Sequence, residues 1–401
     1  MERRQFSRRE FVCASSSAML APLAGCRLWG NSVGQACPAW RPGELDIHFI
    51  HTGTGEQTFF RFPDGTTMLL DCGFVYNRKA DYVAAVPAKP DGTQTGGDWV
   101  TRYLQRVTDS REIDYVMISH WHDDHIRGIP VVGLTFRFRH YFDHQYPRVG
   151  LYRYDADKGG FDLLRQWFFD ACARGMQVEP FEVGALNQIR LRRDAAAYPT
   201  FEIRNVAANG VVWDGRDGVR DCAAEHVRAT GAKVIEENML SSAIRIRYGN
   251  FSYFTGGDIE KSFVGADGVR YNYEELVGKA AGPVSVCKTN HHAYLTAMSP
   301  EFVRAVRAQA YVSSVWSPNQ TNVKTLTAMS AGSTASGGVY YGHLPEKARR
   351  EFAERGLLGS VAPAQGHAVV KVAPGGETFR IFVLSADDES MTVLDEREFV
   401  A

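Results

Sequence analysis

Between Ser119 and Gly128 the chain reads SHWHDDHIRG, and no other stretch restricts its folding so far. His120, His122, Asp124 and His125 form an HxHxDH array, and the segment before it, Ile113 to Ser119, reads as a short buried strand bounded by charge. Alternate residues of an extended segment point the same way, so a strand ending in this array delivers three imidazoles and a carboxylate to one place. These are metal ligands. Neutral imidazole and carboxylate suit zinc, iron or manganese, and a site with mixed nitrogen and oxygen ligands and no thiolate is more often catalytic than structural. The alternative is a polar surface loop that happens to be rich in histidine. Only 12 of 401 residues are His, so three of them clustered beside an Asp favour the metal site.

The length allows one large domain or two ordinary ones, and the composition is that of a globular protein. A formal charge of −1 supplies no basic field, so no dedicated nucleic-acid surface is expected. Residues 1–26 read as a targeting signal peptide rather than as part of the fold. Within them Ser7 to Phe11, SRREF, resembles the twin-arginine export signal, and Leu23 to Cys26, LAGC, resembles a lipobox that would make Cys26 the lipidated residue. The setting expected is therefore the periplasm or the cell envelope, with export by the twin-arginine route. No other stretch approaches the ~20 apolar residues of a bilayer span, so membrane attachment is expected only through a lipid anchor. None of the seven cysteines forms a CxxC pair; Cys72 and Cys287 suit free buried thiols, and an oxidising compartment would permit one disulfide, Cys172 to Cys222.

A linker over 27–43 leads into strand-like runs at Leu45–His51, Gln57–Phe62 and Thr67–Asp71, the last two joined by a Pro63-Asp64-Gly65 turn. A helix is expected to begin near Asp98, capped by Gly97-Asp98, ahead of the strand that ends in the array. Residues 130 to about 208, richer in aromatics and arginine and less periodic, read as an insertion walling the site, with one helix at Phe161–Arg174. A second set of strands follows at Ala243–Tyr248, Phe251–Thr255 and Val284–Thr289. Helices are expected at Pro300–Ala308, near Val323–Met329 and at Pro345–Arg355, then strands at His367–Val372 and Thr378–Leu384. Strands followed by helices, twice over, predict an α/β fold of two similar halves, sheet against sheet with helices outside. The domain is placed at 44–386, with 387–401 as a tail.

Three further sites fall where strands end: Asp71 in MLLDCG, Asp258 in FTGGD, and His291-His292 in KTNHHAY. Read together with SHWHDDH, this order resembles the metallo-β-lactamase fold superfamily. The NHHAY version, with Glu237-Asn238 and Ser241-Ser242 ahead of AIRIRY, is similar to its ComEC-like branch of exported hydrolases. The resemblance implies a four-layer αββα sandwich. It also implies two divalent metal ions, Zn first and Mn or Fe as substitutes. His120 and His122 would hold the first metal, and Asp124 and His125 the second. Asp258 would bridge them, and His291 or His292 would complete the second site. Asp71 would orient the array from behind the ligands.

Where the superfamily places a third histidine for the first metal, this chain has Asn238. An amide is a poor zinc ligand, so that site should be weaker, more open, or completed by His226, His144 or His140. The chemistry expected is hydrolysis by a water activated between two metals, with Asp124, His291 and His292 as catalytic groups. Phosphodiester or phosphate-ester substrates are favoured by the branch resembled and by Arg137, Arg139, Arg148 and Arg153, whose planar forks suit phosphate. Tyr141, Phe142, Tyr146, Tyr152 and Tyr154 would line a substrate groove or pack in the core. Two other functions fit the same residues: a lactonase or β-lactamase acting on carbon esters or amides, and a lipoprotein that uses the fold for binding alone.

Overall fold

In the computed structural model, residues 32–144, 158–231, 235–264, 270–333 and 335–401 are described. The twin-arginine and lipobox segments, Cys26 included, lie outside them, as do Arg148, Arg153, Tyr146, Tyr152 and Tyr154. Among the described residues no helix is long and apolar enough to cross a membrane.

Strand Thr67–Cys72 is buried along its whole length, as a near-continuous apolar run demands when both faces of a sheet are covered. It sits in a sheet of nine described strands. The order in space is Val393–Val400, Thr378–Leu384, His367–Val372, Leu45–Phe49, Gln57–Arg61, Thr67–Cys72, Glu112–Met117, Arg137–Phe142 and Gln177–Val178. The last four run parallel. The second sheet, of eight described strands, runs Val339–Tyr341, Ala310–Ser313, Val286–Lys288, Phe251–Thr255, Ala243–Tyr248, Phe201–Ala208, Val211–Trp213 and Val219–Asp221. Its first four strands are parallel. Parallel neighbours need crossovers, and helices Gly96–Val107, Tyr273–Ala281, Pro300–Val306 and Val323–Gly332 provide them.

Side chains alternate across each strand, and this builds four layers. Met68, Leu70, Tyr115 and Met117 of the first sheet meet Ile244, Ile246, Tyr253, Val286 and Val312 of the second. On the first sheet's other face Phe59, Leu69 and Val116 pack against Val100, Tyr103 and Leu104 of helix Gly96–Val107. On the second sheet's other face Phe254, Cys287 and Tyr311 pack against Val277, Phe302, Leu326 and Phe352. The result is the four-layer αββα sandwich.

Four expectations need correction. The segment 130–208 is not an insertion beside the fold: Arg137–Phe142 extends the first sheet and Phe201–Ala208 is an interior strand of the second. Its Arg-aromatic alternation is that of a strand with one wet face, Arg137 and Arg139 exposed and Phe138 buried. The 387–401 tail is mostly strand Val393–Val400, paired along Thr378–Leu384, and the linker reaches it through Gly34 N–H donating to Val393 O at 2.8 Å. Helix Gly96–Val107 is capped not by Gly97-Asp98 but by Thr95, whose side chain forms a capping box with Asp98. Cys172 and Cys222 are both free thiols.

Candidate metal centre

Both sheets end their parallel strands at the same edge, and the chemistry-bearing loops leave from there. Asp71 turns into the left-handed region, φ 56°, as its strand ends. Its Oδ1 accepts from Ser119 N–H at 2.7 Å, and its Oδ2 from Ser119 Oγ at 2.7 Å and His125 Nδ1 at 2.9 Å. Gly73 lets the array approach this strand, since a Cβ there would lie 1.9 Å from the Asp124 carbonyl carbon. The second sheet closes on the first through Ser242 N–H, which donates to Ser119 O at 2.9 Å, and within the second sheet Asp258 N–H donates to Ser241 Oγ at 3.1 Å.

Asp258 Oδ2 is the centre of the arrangement. His125 Nε2 and His292 Nε2 each lie 3.3 Å from it, His291 Nε2 3.7 Å and His120 Nε2 4.0 Å. Asp124 Oδ2 joins the His125 and His292 side, 3.6 and 3.1 Å from their Nε2 atoms. His122 Nδ1 joins the His120 side, 3.1 Å from His120 Nε2. Behind these atoms stand carboxylates, Asp71 and Glu56 buried and Glu260 partly exposed. Asp71 backs His125, and Glu56 Oε2 stands 3.0 Å from His292 Nδ1. Glu260 Oε1 lies 2.9 Å from His291 Nδ1 and accepts from Asn238 Nδ2 at 3.2 Å. A carboxylate at Nδ1 fixes the tautomer that leaves the Nε2 lone pair facing inward.

Electrostatics fit a cationic guest. Burial opposes ionisation of Asp258, but His292, His125 and His291 outweigh it and hold the carboxyl well below its usual range. Asp124 is depressed too, against burial, by His125 and His292. Burial raises Asp71, with its bonds to His125 and Ser119 pulling the other way. His125 and His292 are raised against burial, chiefly by Asp258 in each case, whereas His120 is lowered by burial and by His125. The four carboxylates Glu56, Asp71, Asp124 and Asp258 face one ammonium, Lys288, so the set attracts positive charge. His125 Nε2 is buried without a hydrogen bond although it points at the shared oxygen. A buried ring nitrogen so placed, among donors of this chemistry, suits a metal ion.

All seven residues expected as ligands, His120, His122, Asp124, His125, Asp258, His291 and His292, lie in this one cluster. The replacements considered for the histidine missing at Asn238 do not enter it. His140 lies 3.7 Å from Glu179, His226 is on helix Cys222–Thr230, and His144 pairs with Glu237 at 3.0 Å. Glu237 in turn accepts from Trp121 N–H at 2.8 Å, so that pair fastens the array from the far side. Trp121 packs on His144 and Phe161, and Asp123 pairs with Arg127. Arg137 donates to the Arg174 carbonyl and Arg139 pairs with Glu112, and neither contact is to a residue of the cluster. Tyr141 and Phe142 are core residues. Sequence reasoning missed Glu56, which lies within 4.8 Å of His125, Asp258 and His292 through its nearest ligand atoms, and Lys288. Their signal was a charge at each edge of an apolar strand, GEQTFF and VCKT, since a buried charge requires a partner.

The fold and the cluster describe an α/β sandwich with a candidate metal centre at one edge. Residues 55–188 match the family model described as the metallo-beta-lactamase superfamily. No curated protein matches the chain. Among solved structures it is similar to CmlA, a diiron beta-hydroxylase from Streptomyces venezuelae, at 13% identity and TM-score 0.42, covering 83% of this chain and 55% of that one. The chain thus spans about half the length of that hydroxylase. A diphosphatase from the PhnP family is matched at 12% identity and TM-score 0.34, over 75% of this chain and 95% of the other. The metallo-beta-lactamase SMB-1 is matched at 11% identity and TM-score 0.32, over 75% and 86%.

Proposed function

We propose that this protein is a hydrolase of phosphodiesters or phosphate esters in the cell envelope, working with two divalent metal ions, zinc before manganese or iron. The observation that carries the metal reading is the convergence of four imidazole nitrogens, from His120, His125, His291 and His292, within 4.0 Å of Asp258 Oδ2. Two ions held there would activate a water and neutralise charge developing on a phosphoryl or carbonyl oxygen. The residues divide into two sets sharing Asp258. Asp124, His125 and His292 form one, because Asp124 Oδ2 touches both imidazoles. His120, His122 and His291 form the other, and His291 takes the place left by Asn238. Asn238 instead holds Glu260, which orients His291.

The ester class rests on KTNHHAY and its resemblance to exported ComEC-like hydrolases; Arg137 and Arg139 lend it no support. The envelope setting rests on SRREF and LAGC, with lipid on Cys26 as the anchor. Purified protein assayed on bis(p-nitrophenyl) phosphate, nitrocefin and a homoserine lactone tests the class. Hydrolysis of the phosphodiester that is lost in Asp258→Ala is the expected outcome. Turnover of only the lactam or lactone would move the protein to carbon-ester chemistry, and full activity in Asp258→Ala would refute the shared-carboxylate site.

A further inference from the structure

Lys288 is fully buried at the end of a three-residue strand, four residues before His292. Its Nζ lies 2.9 Å from Glu56 Oε1 and 3.7 Å from Asp258 Oδ1, and donates to Gly257 O at 2.8 Å. Glu56 is 2% exposed, and its other oxygen, Oε2, stands 3.0 Å from His292 Nδ1. Oε1 is thereby held by the ammonium, while Oε2 lies beside His292 Nδ1 without completing a hydrogen bond. A carboxylate arranged in this way is an orienting group for the imidazole rather than a ligand. Glu56 is fixed as well by main chain: its N–H donates to Asp124 O at 2.8 Å and its carbonyl accepts from Gly73 N–H at 3.1 Å.

We propose that Lys288 and Glu56 are positioning residues. The ammonium anchors Glu56, and Glu56 sets the tautomer and angle of His292, which keeps His292 Nε2 directed into the metal centre. The chemistry is that of the Asp71 contact to His125, repeated from the opposite strand with an internal cation added. The inference rests on the metal-centre reading above.

The test is metal binding by apo-protein, measured by competition with a chromophoric chelator, with Co(II) stoichiometry and visible spectra alongside. Glu56→Gln and Lys288→Met are each expected to weaken affinity by about 10–100-fold, the usual effect of removing such a partner. Glu56→Gln should keep the wild-type Co(II) stoichiometry and band positions. Loss of one equivalent in Glu56→Gln would make Glu56 a ligand and overturn the proposal, as would wild-type affinity in Lys288→Met. If Lys288→Met does not fold, the double variant Glu56→Gln/Lys288→Met is compared with Glu56→Gln. Equal affinities support a lysine acting through Glu56, and a further loss refutes it. Absence of metal binding by wild-type protein would instead remove the metal-centre reading itself, which separates the two failures.

Discussion

At the residue scale the site depends on carboxylates that touch its imidazoles from behind. Asp71 satisfies three buried donors, on Ser119 N, Ser119 Oγ and His125 Nδ1. Asp71→Ala removes all three contacts; Ser119 Oγ and His125 Nδ1 keep each other at 3.4 Å, but Ser119 N–H is left unpaired, and an orphaned donor costs about 1–3 kcal/mol. Urea unfolding should therefore show a clearly lower midpoint for Asp71→Ala, with Asp71→Asn between it and wild type because an amide oxygen still accepts from Ser119. Asp71 was legible because it ends an apolar strand in MLLDCG. Glu56 was not: it precedes its strand in a Gly-rich turn, and only the folded chain brings it to His292, 236 positions later in the sequence. Lys288 was hidden in the same way, its partner lying on the opposite sheet.

At the element scale the loop after strand Val286–Lys288 carries the greatest local strain. His291, His292 and Ala293 all have left-handed backbone, with φ 43°, 50° and 64°. Such conformations cost about 1–3 kcal/mol each and persist only where the surroundings impose them. Here Glu274, buried near the start of helix Tyr273–Ala281, accepts from Asn290 Nδ2 at 3.0 Å and from Met298 and Ser299 N–H at 2.7 Å. Ser313 Oγ donates to His292 O, and Asn322 Nδ2 to Ala293 O. Glu274→Ala should lower stability by at least about 1–3 kcal/mol, the cost of one orphaned donor. It should also shrink the rise in melting temperature that added metal gives wild-type protein. Strands Ala243–Tyr248, Phe251–Thr255, His367–Val372 and Thr378–Leu384 fall where their apolar runs place them. RFRHYF escaped notice because exposed Arg137 and Arg139 gave a one-sided outer strand the look of a polar loop.

At the scale of the whole molecule, a second group of histidines lies apart from the metal cluster. His48, His51 and His367 are buried, and burial lowers all three, with His367 pushed down to about 3. In the unfolded chain they titrate near their ordinary value of about 6.5. Below that pH the unfolded state takes up protons that the folded state refuses, so stability falls as pH drops from about 6.5 toward the depressed folded values. One such histidine contributes a slope of up to about 1.4 kcal/mol per pH unit. His367→Gln should flatten the acid limb of stability against pH by about that share. His125 and His292, shifted the opposite way, are common to both proteins and cancel in the comparison. The two-sheet architecture itself joins loops from Gly73 to Ala293 at one edge, and the proposed activity depends on that junction holding two ions. Titrating metal-free protein with Zn²⁺ while following bis(p-nitrophenyl) phosphate hydrolysis tests this most directly. Activity is expected to be absent without metal and to level off near two equivalents per chain; undiminished hydrolysis by the metal-free protein would contradict the account.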